Sequence, residues 1–92
     1  MKMRQIVETR IEVCCEILYP RYEEEFVPNP DADVRTLWEF SYQYVRDAIR
    51  GGAHWAMVEL WDADEFGEKH IFRVDARNPY YFTSTEVLTI TH

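Results

Sequence analysis

Between Met3 and Tyr19 apolar side chains recur at alternate positions, with Met3, Val7, Ile11, Val13, Cys15, Ile17 and Tyr19 set against Arg4, Glu8, Arg10, Glu12 and Glu16. A period of two marks a strand with one face toward a core. Val7, Ile11, Cys14, Cys15 and Leu18 also match a helical stripe, but a helix would stack Glu8, Glu12 and Glu16 four residues apart, and the β-branched content favours the strand. Extended chain from Met3 to Tyr19 would span about 55 Å, so a bend or bulge is expected within it.

Pro20, Pro28 and Pro30 bracket the stretch from Arg21 to Val27, whose Glu23-Glu24-Glu25 run has no apolar stripe to bury. It is expected to be an exposed connection or a short edge strand. Asp31 and Asp33 then offer N-cap chemistry to a segment in which Val34, Leu37, Trp38, Val45, Ala48 and Ile49 share one helical face. Arg46 and Arg50 complement the helix dipole near its end, and Gly51-Gly52 stops it. Ala53 to Trp61 is apolar at both parities, as an inner strand would be, and His70 to Ala76 returns as the next strand after a turn at Phe66-Gly67. Asn78-Pro79 marks a further turn before strand material at Tyr80 to Phe82 and Glu86 to Ile90. The expected fold is α+β in the order β-α-β-β-β, an antiparallel sheet with one amphipathic helix on one face.

The 92 residues suit one domain, 1–92, and 47% hydrophobic with 29% charged content is that of a chain that folds. Seventeen acids against ten bases give a net charge of −7, which argues against direct binding to nucleic acid or an anionic membrane. Cys14 and Cys15 are adjacent, so an ordinary intrachain disulfide between them is not expected; they are read as half-buried strand residues in a reducing compartment. No uninterrupted apolar segment suggests a signal peptide or membrane span, and a cytoplasmic location is expected.

Motifs for chemistry are sparse. Asp62-x-Asp64-x-x-Gly67 opens like a calcium loop, but Phe66 and Arg73 stand where ligands five and twelve are needed. His54 and His70 lack the spacing of a zinc site, and Ser41 and Ser84 lack the turn of a nucleophile. Gly51-Gly52 belongs to no phosphate loop. No catalytic activity, cofactor or metal is therefore expected.

Charge is segregated. From Glu12 to Asp33 there are seven acids and the single base Arg21, and from Glu59 to Glu68 five acids and no base. Fourteen aromatic residues are more than one small core accommodates, so Phe40, Tyr42, Tyr44, Tyr19, Tyr22, Phe26 and the Tyr80-Tyr81-Phe82 run are candidates for exposure. If the two acidic blocks meet, they form a surface that steers basic partners. Glu23, Glu24, Glu25, Asp62, Asp64 and Glu65 are the expected charge contacts, and Tyr22 and Phe66 the aromatic anchors. The expected partner is a basic protein such as a nuclease or another nucleic-acid-binding enzyme, inhibited by occupation of its cationic surface. The chain resembles anti-CRISPR, anti-restriction and immunity proteins in composition, without a shared motif. The competing expectation is a homo-oligomer assembled through an edge strand such as Met3 to Tyr19 and the exposed aromatics.

Overall fold

Chain alternation becomes a sheet through seven elements in the computed structural model, which describes residues 2–64, 67–78 and 81–86. They are β1 (Met3–Val13), β2 (Glu16–Leu18), β3 (Arg21–Phe26), α1 (Val34–Arg50), β4 (Trp55–Asp62), β5 (Lys69–Arg77) and β6 (Tyr81–Glu86). The α+β expectation holds: one helix packs against a six-strand antiparallel sheet. The stretch expected as one strand from Met3 to Tyr19 is instead the larger part of a hairpin. β1 turns back at Cys14-Cys15, and β2 and β3 return along it in one register, from Val13 opposite Glu16 to Met3 opposite Phe26. Pro20 interrupts the return strand because it has no N–H, although its carbonyl still accepts from the Thr9 amide at 3.0 Å.

The turn explains both the missed boundary and the cysteines. A two-residue hairpin turn of type I′ needs left-handed backbone at both central positions and favours Asn-Gly. Here Cys14 has φ 51° and Cys15 φ 67°, and both are exposed rather than half-buried in a strand. Neither residue signals a turn in sequence.

Across the sheet the order is β2-β1-β4-β5-β6, with β3 in line with β2 on the outer side of β1. β1 is thus an inner strand over Met3 to Glu8, where β3 and β4 both pair with it, and β4 continues along it to Arg10. Past Arg10 it continues with β2 alone, as a two-stranded arm carrying exposed Val13, Ile17, Leu18 and Tyr19. The molecule is accordingly elongated, 46 × 21 × 20 Å.

α1 forms as the sequence expects. The Asp33 carboxylate caps it, accepting from the Thr36 amide and hydroxyl at 2.8 Å each, and Gly51-Gly52 ends it, Gly52 at φ 106°. Its buried residues Val45 and Ile49 meet Val58, Leu60, Phe72 and Val74 of β4 and β5. Tyr42, expected to be exposed, stacks on Trp38 and meets the tilted ring of Phe82, and the Trp38 indole donates to Ser84 at 2.8 Å. Gly67 has the positive φ expected of a turn; Glu65, Phe66, Tyr80 and 87–90, part of the expected turn and last strand, lie outside the described residues.

Cys14→Asn with Cys15→Gly relieves two left-handed positions, raising stability by about 1–2 kcal/mol as a shift in the urea midpoint at constant slope. The bonds to Thr36 hold the Asp33 carboxyl below its ordinary 3.8. Its contribution is therefore complete above that value and lost as pH falls through the lowered one. Asp33→Asn keeps a capping acceptor that gains no proton, so the variant loses this part of the acid sensitivity when urea midpoints are compared from about pH 5 to pH 2.

Candidate functional site

The expected acidic blocks do come together. β3 and β4 flank β1 on opposite sides, so Met3 pairs with both Phe26 and Asp62. Lys2 joins the blocks, its amide donating to Asp64 and its ammonium lying 3.0 Å from Glu25. Arg4 bridges Glu23, at 3.3 Å, and Glu68. Arg21 lies 3.5 Å from Glu8 and 3.6 Å from Glu23. Asp62 accepts from the Asp64 amide at 3.0 Å. Glu23, Glu25 and Asp64 are therefore already engaged by the chain's own donors and cations. Glu65 and Phe66 lie outside the described residues.

Pairing register sorts the hairpin's charges by face, because cross-strand partners share a side of the sheet. One side carries Arg4, Glu8, Arg10 and Glu12 with Glu25, Glu23, Arg21 and Ile17, so acids and bases interleave. This outer side continues with Trp61, which lies under the Arg4 guanidinium and meets the His70 ring edge-on, while His70 stands 3.2 Å from Glu59. Ile6 and Met57 are buried on it.

The helix side of the hairpin carries Gln5, Val7, Ile11 and Val13 opposite Glu24, Tyr22, Leu18 and Glu16. It holds acids and apolar groups and not one lysine or arginine. α1 lies over β4 and β5, leaving this half of the face open. Between them runs a groove of about 440 Å³, walled by Leu37, Phe40, Ser41 and Tyr44 of α1 and by Gln5, Val7, Tyr22 and Phe26, with Leu60 and Phe72 at its floor. Its rim is wet, Phe40 being 70% exposed, Tyr22 55% and Tyr44 49%. Asp47 lies almost in line with Phe40 on α1, whereas Arg35, Arg46 and Arg50 turn about 80° or more away from it.

Two polar features sit at the groove. The Tyr22 hydroxyl donates to Glu24. That bond, then desolvation and the carboxylate's charge, hold the phenol above its ordinary 10.0, so it stays a neutral donor. Ser41 is buried and donates to the Leu37 carbonyl at 2.9 Å, so its hydroxyl is satisfied within the helix.

Of the expected contacts Tyr22 lines the groove, Glu24 and Asp62 share its side of the sheet by register, and Glu23 and Glu25 face the other way. Gln5, Val7, Leu37 and Ser41 were not expected site residues. The usable sequence signal was Phe40 and Tyr44, two large aromatics one helical turn apart and off the buried stripe. Among the described residues no group of three or more His, Cys, Asp or Glu is placed to hold a metal ion, and no helix is long and apolar enough to cross a membrane.

The exposed rim and the core beneath it separate by mutation. Phe40→Ala is expected to shift stability by no more than about 0.5 kcal/mol, whereas Phe72→Ala, at 0% exposure, costs about 3–5 kcal/mol in urea denaturation. No protein-family model matches the chain, and neither the curated proteins nor the solved structures hold a significant match to it.

Proposed function

We propose that the chain is a protein-binding module that docks through the helix side of its hairpin and the adjoining groove onto a basic surface of a partner. The observation that carries this is the one-sided charge of the hairpin: an open apolar face with Glu16 and Glu24 and no base among them. Apolar area supplies the attraction, and uncompensated carboxylates at its border select a cationic partner and repel an acidic one. Aromatic rims such as Phe40, Tyr22 and Tyr44 are typical anchors of interfaces, since they bury large area with few torsions to fix. A partner whose cationic surface serves nucleic acid would be inhibited by such docking. Two free exposed thiols suit a reducing cytoplasm.

The competing assembly through a β1 edge loses its footing, because β1 is paired on both sides from Met3 to Glu8. The edge beyond it is β3, and a two-fold pairing centred on Glu24 would set Glu23 against Glu25 and Glu24 against itself.

Partners captured from lysate separate the two faces. Tyr44→Ala with Phe40→Ala, and Glu16→Lys with Glu24→Lys, are each expected to weaken a captured partner at least tenfold by titration calorimetry. Thr83→Lys, on the outer side of β6, leaves it unchanged. Equal affinity across all of these overturns the reading.

A further inference from the structure

We infer that the occupant of the groove is a basic amphipathic α-helix supplied by the partner, seated beside α1 over β1 and β3. The inference rests on the docking reading above and specifies the partner's shape.

Strands lie about 4.8 Å apart, so five strands abreast span about 19 Å between their outermost axes. A helix with its side chains is about 10 Å across and covers about two of them. α1 covers β4 and β5. β1 and β3 next to it carry no helix on the same side: Met3 at their near end is buried, but Gln5, Val7 and Tyr22 beyond it line the groove, a strip about the width of a second helix, and the only helix in the described residues is α1.

The strip has the shape a helix needs. Leu37, Phe40 and Tyr44 give a wall at helical spacing, and neighbouring Val7, Tyr22 and Phe26 give a sheet floor and far wall. Helices seated side by side on a sheet present apolar stripes at the i, i+3, i+4 spacing, the same spacing a helix-in-groove ligand uses for its anchors. An extended peptide offers no comparable fit to a groove this wide. It would pair with the outer edge of β3 and leave the groove between β1 and α1 largely empty.

Charge gives the occupant's flanks. Glu24 borders the groove on the sheet side, Asp47 lies in line with Phe40 on the helix side, and Glu16 stands further out on the arm. A helix with leucine-like residues on one stripe and lysine or arginine on both borders meets carboxylates on either side. A second copy of this chain does not meet that description, because on its own helix the exposed Phe40 and Tyr44 are bordered by Asp47, whereas the exposed Arg35 and Arg50 lie about 80° or more away from Phe40.

Three synthetic peptides added to the isotope-labelled full chain test this. The first has leucine and lysine at helical spacing, the second the same composition in strict alternation, and the third glutamate for each lysine of the first. The helical cationic peptide is expected to bind at least tenfold tighter than either other, with amide shifts centred on Gln5, Val7, Tyr22, Phe40 and Tyr44. Phe40→Glu and added salt should weaken it, and the peptide should gain helical circular dichroism. Tighter binding of the alternating peptide, with shifts along the β3 edge, overturns the helix and leaves cationic docking standing. Equal binding of the glutamate peptide overturns the charge argument. No binding by any of them overturns the docking reading as well, and concentration-dependent shifts of the groove residues without peptide make a second copy the occupant instead.

Discussion

One helix cannot cover one side of a sheet five strands wide. The cover that α1 provides is spent on β4 and β5, where Val58, Leu60, Phe72 and Val74 meet Val45 and Ile49 and form the core. Everything distinctive at the surface follows from the half that remains. Val7 and Phe26, only partly buried against the core, and Tyr22 line an open groove, and Phe40 and Tyr44 stand exposed at its rim. The same shortage of cover leaves the arm of β1 and β2 projecting past the sheet, its apolar residues in water.

The second constraint is the period-two geometry of a strand. A one-residue step changes face, so the order of acids and bases along the hairpin decides which side is neutralised. Arg4, Arg10 and Arg21 all fall on the outer side, where Glu8, Glu12, Glu23 and Glu25 accompany them. Surface ion pairs of this kind contribute little stability each. Their consequence is local: that side is close to balanced, while the helix side keeps Glu16 and Glu24 without compensation. The chain's net charge of −7 thereby acquires a direction.

Much of the fold was legible in the residues. α1 carried its stripe, its Asp33 cap and its Gly51-Gly52 stop, β4 carried the apolar run of an inner strand, and β5 was marked as the strand returning after the turn at Gly67. The turn at Cys14-Cys15 was not legible, because its left-handed pair is held by cysteines rather than by Asn or Gly, and the alternation of β1 runs on through it into β2. Tyr42 was misjudged for a related reason: its burial depends on Phe82, forty residues later in the chain. For the site, the acidic blocks were visible but their neutralisation was not, since it depends on Lys2 and Arg4 lying between β3 and β4. The groove had no local signature, because its walls come from β1, β3 and α1 and exist only once the sheet order is fixed.

Docking on the helix side of the hairpin requires that side to be open to water in the free chain. Relaxation of side-chain NMR signals by a soluble paramagnetic probe measures this at each residue. Strong broadening of Val13, Tyr22, Phe40 and Tyr44, with Val58 and Val74 spared, is the expected pattern. Protection of Tyr22, Phe40 and Tyr44 equal to that of Val58 in the monomer would mean that the groove is closed by the chain itself, and the docking surface would not exist.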